Sequence, residues 1–423
     1  MLDAWAELES DPGGENRVVV APADSAQGAK HMNLANKLTA CIGSSVAANA
    51  EVAGREAAAG AMAGLGNQTP ALVIVYASVA YDLSLLLDSI RRVTGAVPLI
   101  GATSSGQFHD GAFVGPGCGV QVLALTAGPY SFGVAARDGL AAGDPEDLGR
   151  RLAVAARAAA EPGTQPYAAV MLLSDGMAGH QQHLLNGVYE VTGAAVPVVG
   201  GAAGDDFAFR ETFVFEGDRV LRDAAVALWI ASDKPLSVVS KHGYTAASLP
   251  MMVTEVDGLC VRRIAGRPAL EVYREVLGDD GSALRPSAYV ALAQEHPFGL
   301  IQPDGSHLIR VVRMSDNDSD LLTFAELPPF AAINVMAGRP DDLLGVAEPV
   351  VVEALEGRDA SVLLMFSCGA RHAVLGSRVS EESARFQAAA GSVPTFGFYT
   401  YGEFARNRSI AGHHNATVAA LAL

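Results

Sequence analysis

The sequence predicts an α/β fold: repeated strand-helix-strand-hairpin units forming two mixed-sheet domains. Three observations carry the prediction. First, one phrase occurs three times, as VPLIGATSSGQF (97–108), VPVVGGAAGDDF (196–207) and VPTFGFYTYGEF (393–404). Second, the prolines at 98, 197 and 394 are spaced by 99 and 197, and the second spacing is close to twice the first; self-similarity at a fixed period signals a repeated architecture. Third, the flanks repeat. Each phrase follows an apolar, strand-like run, ALVIVYASV (71–79), YAAVMLLSDG (167–176) or ASVLLMFSCG (360–369), and then a helical stretch that stops at a glycine just before the Val-Pro. A weaker echo, HPFG (296–299), sits near the position of a missing fourth copy.

Taken in order, residues 1–30 are rich in Gly, Asp, Ser and Pro and read as a flexible lead-in. The Ala-rich stretch 36–66 reads as a helix before the first strand, with counterparts at 144–160 and 339–357. Both counterparts carry acids at the front, as helix N-termini prefer, and Pro349 must bend or interrupt the second. Closing strands are expected in CGVQVLALTAG (118–128), AAVALWIAS (224–232) and ATVAALAL (416–423). The style of the chain changes near 240. A first domain of two repeats is therefore expected over 31–240, and a second, with one degenerate and one clear repeat, over 241–423. The acidic loop SDNDSD (315–320) reads as a solvated turn in preference to a calcium site.

A chain of 423 residues exceeds one ordinary core, and with 50% hydrophobic and 18% charged residues it can bury a large one. No apolar run reaches the ~18–20 residues of a membrane span. The acidic start MLDAWAELESDPGG is unlike a secretory signal, and the four cysteines (Cys41, Cys118, Cys260, Cys368) form no CxxC pair. A reduced cytoplasmic protein without membrane insertion is expected. The net charge of −17 argues against nucleic acid, whose binding rests on Lys and Arg neutralising phosphates.

The order GRPALEVYREVLG (266–278), HPFG, LIRVVR (308–313), FSCGARHAVLG (366–376), VPTFGFYTYGEF and HHNAT (413–417) resembles the FIST family, a FIST N domain followed by a FIST C domain. The resemblance implies an intracellular sensory module for a small polar ligand, with an amino acid as one suggestion. It also implies an alternative, a haem-containing sensor of nitric oxide. No CxxCH motif is present and no single His stands out as an axial ligand. No kinase, cyclase or methyl-accepting output domain is recognisable in this sequence, so the signal is expected to leave through a separate protein. Gln107 stands where the other copies carry Asp206 and Glu403, so the first copy is expected to have lost a charge-binding role.

In parallel α/β sheets ligands bind beyond the carboxyl ends of the strands. Ser367, Cys368, Gly369, Ala370 and Arg371 should therefore converge with Tyr399, Tyr401, Gly402 and Glu403. The equivalents are Ser174, Asp175 and Gly176 with Gly204, Asp205 and Asp206, and Ser78 with Ser104, Ser105 and Gly106. In that site Arg371 would grip a carboxylate through two hydrogen bonds, Glu403 would supply the counter-charge, and Tyr399 or Tyr401 a wall. Each has a plainer reading: a structural ion pair, core aromatics, and Cys368 as a small buried apolar residue. The shared Gly101, Gly200 and Gly397 suggest close backbone packing, because GGAAG (200–204) lacks the Lys-Ser/Thr of a phosphate loop. Catalysis by Cys368 with His372, as a hydrolase or transferase, and a metal at His180 and His183 are weaker alternatives. Four residues separate the first pair, and the second lacks a third ligand and HExxH. A binding protein without catalytic residues or metal is the expectation.

Overall fold

The computed structural model describes residues 37–160, 165–278, 292–314, 319–406 and 411–423. The expected lead-in at 1–30 and positions 315–318 of the acidic loop lie outside them. The chain is mixed α/β, and its frame is three sheets with the same internal order.

Each of the three phrases forms the second strand of a parallel pair. Leu72–Ser78 pairs with Leu99–Ser104, Tyr167–Ser174 with Val198–Ala202, and Leu363–Cys368 with Thr395–Thr400. A helix crosses between the members of each pair: Leu83–Thr94, Gln181–Thr192 and Val379–Ala390. These helices stop at Gly95, Gly193 and Gly391, all at positive φ, where a residue without Cβ turns the chain at little cost. A closing strand (Val120–Leu125, Ala224–Ser232 or Val418–Ala422) returns antiparallel on the first member, and an outer strand follows it.

The hairpin that should complete each unit leaves it. Gln107–His109 and Ala112–Val114, from the first unit, add to the third unit's sheet beside Thr395–Thr400. Val214–Glu216 and Arg219–Leu221, from the second, add to the first beside Leu99–Ser104. Glu403–Arg406 and Ala411–His414, from the third, add to the second beside Val198–Ala202. The exchange is cyclic, so no unit is complete without a neighbour.

One face of all three sheets shares a single core. Ile74 and Tyr76, Met171 and Leu173, and Leu364 and Phe366 point into it, while Val73 and Val75, or Val170 and Leu172, face the helices. The period of two along each strand accounts for this division. With both faces covered, the inner strands are buried along almost their whole length, and this is why they read as unbroken apolar runs. Aromatic rings meet on the shared side, Tyr76 lying 4.1 Å from Phe398 between ring centres.

Two expectations change. The stretch 36–66 begins with a strand, Ala40–Ser45, and the helix runs over Ala50–Leu65 behind an Asn49 cap that accepts from the Val52 N–H. Alanine richness does not separate the two elements. The strand lies so close to the helix that any Cβ at Gly43 would collide with the Ala57 carbonyl. The HPFG echo is no parallel strand: Phe298–Ile301 is antiparallel to both of its neighbours. It belongs to a nine-stranded sheet formed by residues 245–337, inserted between the outer strand Val238–Lys241 and the rest of the third unit. In the stretch 339–357 the break falls at 345–346, between helices Pro340–Leu344 and Ala347–Leu355. Pro349 sits in the first turn of the second helix, where a missing N–H costs nothing.

The shared glycines have one physical reason. A Cβ at Gly101, Gly200 or Gly397 would strike the carbonyl oxygen of Val75, Leu172 or Met365, the facing residue of the parallel partner. Gly95, by contrast, has open space around it and needs only its φ of 71°. Replacement by Ala should therefore cost about 3 kcal/mol or more at Gly200 and Gly397, as expected for backbone overpacking, and only about 1 kcal/mol at Gly95. Urea unfolding of the three variants checks the ranking.

Candidate functional site

The carboxyl ends of the inner strands converge as their parallel registers require, and they meet one another as well. The Ser105 N–H donates to Tyr399 O, the Tyr399 N–H to Gly106 O, the Gly204 N–H to Thr103 O, and the Tyr401 N–H to Ala202 O. The residues singled out in the sequence divide here into three groups.

Ser367, Arg371 and Tyr399 share one buried partner, Glu382, on the helix after the first inner strand. Arg371 is 0% exposed; its Nε and Nη2 donate to Glu382 Oε1 at 2.9 and 2.6 Å, and Nη1 and Nη2 also donate to the carbonyls of His242 and Leu343. The Ser367 hydroxyl and Tyr399 phenol donate to Oε2 of the same carboxylate at 2.8 and 2.7 Å. The alternative pairing of Arg371 with Glu403 is therefore not formed, and the guanidinium is enclosed in the core away from the cavity. Tyr399 and Tyr401 also part company. The strand ends at Thr400, so Tyr399 stays in the core and Tyr401 turns outward.

A second group braces loops. Asp175 is buried, and accepts from the N–H groups of Met177 and Asp223 and from the Thr212 hydroxyl. Ser174 lies behind it, fully buried. Asp205 accepts three successive N–H groups, from Phe209, Arg210 and Glu211, and the phenol of Tyr401. Asp206 accepts from the Ser78 hydroxyl at 2.6 Å across the junction with the first unit, and burial raises its carboxyl above the usual range. Gly402 lies flat against the His413 ring, where a Cβ would collide. Gln107, the presumed neutral equivalent, hydrogen-bonds Ser104 within its own turn.

The third group borders a cavity of about 800 Å³. Cys368, Gly369, Thr400 and Tyr401 come from the third unit, Met177, His180, Phe207 and Phe209 from the second, and Leu259, Val311 and Phe324 from the inserted sheet. Tyr401 stacks on Phe209 with ring centres 4.6 Å apart and planes at 6°, and Phe324 stands 6.5 Å beyond Phe209. Asp206, Phe207 and Phe209 all adopt positive φ, a costly conformation for residues other than Gly, and the Asp205 carboxylate holds the loop in place. Beneath Cys368 and Thr400 lies Glu403, 0% exposed. Its partners are the Thr400 hydroxyl, the Thr417 N–H and the Cys368 thiol.

Without a cation beside it, the Glu403 carboxyl is pushed up by burial to about 8. Burial first, and then Glu403, push the Cys368 thiol well above its ordinary range. His372, the candidate base of the catalytic alternative, packs among Phe113, Phe207 and Tyr399, and burial lowers it to about 4. His180 and His183 stand 6.2 Å apart between ring centres, and no cluster of three metal-ligating side chains occurs among the described residues.

Glu382, Phe209 and the whole inserted wall were missing from the sequence reading. Glu382 lies 11 positions beyond Arg371 and looked like any acid in a helical run. The inserted wall had no repeat to betray it.

Two consequences are measurable. Glu382→Gln and Arg371→Met each break a buried pair and should cost about 3–5 kcal/mol, leaving the cavity walls in place. Chemical unfolding checks the first effect, and an unchanged spectrum of Tyr401 and its neighbours checks the second. Glu403 sets a pH dependence. Folded, it keeps its proton up to about pH 8; unfolded, it ionises near 4.5. Its contribution is thus full at acid pH and falls as pH rises through that window, by up to about 1.4 kcal/mol per unit. Buried His413 and His414, held near 3, act in the opposite sense and weaken the fold as pH drops below 6.5. Glu403→Gln should gain on the parent between pH 5 and 8, and comparing the two in urea at each pH isolates the carboxyl.

The FIST N domain matches residues 71–267 and the FIST C domain residues 269–406. An uncharacterized Mycobacterium bovis protein, Mb0898c, is 25% identical over 218 residues, covering 49% of this chain and 55% of the relative. An uncharacterized Methanocaldococcus jannaschii protein, MJ1623, is 29% identical over 84 residues, covering 20% of this chain and 16% of its own. The chain thus spans about half the length of the mycobacterial relative. Among solved structures, a cyanuric acid hydrolase from A. caulinodans aligns over 91% of this chain and 99% of its own, at 12% identity and a TM-score of 0.35, too low to carry an argument. No helix among the described residues is long and apolar enough to cross a membrane. The two domain matches together span most of the sequence, and the chain belongs to the FIST family, whose domains are in general sensory and bind small ligands.

Proposed function

We propose that the protein is a cytoplasmic sensory module that holds a small ligand in the aromatic-walled cavity and passes the signal to a separate protein. The observation that carries this reading is the cavity itself. Its size suits a small molecule, and its walls come from two repeats and the inserted sheet, so an occupant touches all three. A ligand that bridges separately anchored elements can bias their arrangement, which a sensor requires.

An amino acid is the finer reading. Its side chain would enter among Phe207, Phe209 and Tyr401, and its charged ends would stay at the mouth, where Arg313 and Glu326 are exposed. Binding is favoured over thiol catalysis because the neighbour of Cys368 is a carboxyl that raises the thiol, where a nucleophile needs a lowered one.

The experiment is to identify what the purified protein carries, by mass spectrometry of the released small molecules and by a visible spectrum. Ala370, half-buried on the cavity wall, gives the control. Ala370→Trp should fill the space and abolish the bound species with little loss of stability. A species equally abundant in the variant, or none in either protein, would reject this cavity as the sensory site.

A further inference from the structure

The inner cavity wall has a chemical character that narrows the ligand. Among the described residues, acidic and basic side chains other than histidine border the cavity at Arg313 and Glu326, and both are exposed at its mouth. Deeper groups that could carry charge are placed where they do not. Cys368 is 4% exposed and turned onto Glu403 beneath the wall. His413 is also 4% exposed, its ring lies against Gly402, and burial holds it neutral, near 3. The Tyr401 phenol is spent on Asp205.

Two polar atoms on the wall are not spent: His413 Nε2, which is turned against Gly402, and the side-chain nitrogen of Gln294. Gln294 lies on the wall, 3% exposed, and the amide nitrogen of its side chain meets no hydrogen-bond acceptor. A buried donor without a partner is costly and unusual, and an acceptor supplied by an occupant relieves it. The same cavity is lined by Phe207, Phe209, Phe324 and Tyr401.

We infer that the buried end of the ligand is an uncharged aromatic ring bearing a hydrogen-bond acceptor, such as a carbonyl oxygen or ring nitrogen, that receives the Gln294 amide. The inference rests on the cavity being the ligand site and specifies what that site selects. A carboxylate at the same depth would find no cation and only the neutral Gln294 and His413 beside it, so its desolvation would go largely uncompensated. An ammonium would find no ionised acid there.

Three probes of one shape separate the possibilities by calorimetry on the full chain: toluene, benzamide and benzoate. Benzamide is expected to bind about 10-fold more tightly than toluene, the worth of one hydrogen bond, and more than about 100-fold more tightly than benzoate. In Gln294→Leu the advantage over toluene should vanish while toluene binding persists, which also reports that the variant is folded. Benzoate binding as well as benzamide would overturn the neutral wall. Toluene matching benzamide in the parent, or an advantage that survives Gln294→Leu, would overturn the acceptor. If no probe binds, the inference falls. A released species lost in Ala370→Trp would then still uphold the cavity, and absence of that species would remove both.

Discussion

The structure depends on one close approach, repeated three times. In each parallel pair the second strand passes its partner at a glycine, with a carbonyl oxygen where a Cβ would be. That contact draws the three carboxyl ends together at the junction of the sheets. There, backbone hydrogen bonds between Gly204 and Thr103, Ser105 and Tyr399, and Tyr401 and Ala202 tie each unit to another. A larger residue would separate the pair and, with it, the loops that carry Cys368, Tyr401 and Phe207. The glycines are thus a condition for the site although none of them borders it.

Much of this frame was legible in the sequence because strand burial on both faces and helix-stopping glycines leave local marks. The three phrases, their upstream strands and their crossing helices lie where the repeat placed them. The cyclic exchange of hairpins was not legible. A hairpin carries the same turn and alternation signals whichever sheet it joins, so Glu403–Arg406 gives no sign that its partner is Val198–Ala202. The fourth echo misled for the complementary reason: four residues fix a turn and a β tendency, and not a parallel neighbour.

At the site, sequence reasoning found the strand ends and misassigned the charges. Arg371 and Glu403 both lie at the correct edge, yet Arg371 sits on the short helix Gly369–Leu375 and reaches Glu382 of helix Val379–Ala390, while Glu403, at the start of strand Glu403–Arg406, meets Thr400 and Thr417. The result is a division of labour between two carboxylates. Glu382, paired with a guanidinium and two hydroxyls, is a structural anion in the core. Glu403, without a cation, underlies the cavity as a neutral acid. Burial alone does not separate them, since both are wholly enclosed; the company each keeps does.

The hairpin exchange also bears on the order in which the chain can assemble as it leaves the ribosome. The first sheet waits for residues 214–221, the second for 403–414, and the third, whose own strands come last, takes a hairpin made near the start. Until residues 403–414 emerge, the edge at Val198–Ala202 is unpaired, and the hairpin at 107–114 has no sheet to join. Both present open backbone groups of the kind that recruit stray strands. A nascent chain of this design is exposed to mispairing for most of its synthesis, and its third repeat closes the ring for the other two.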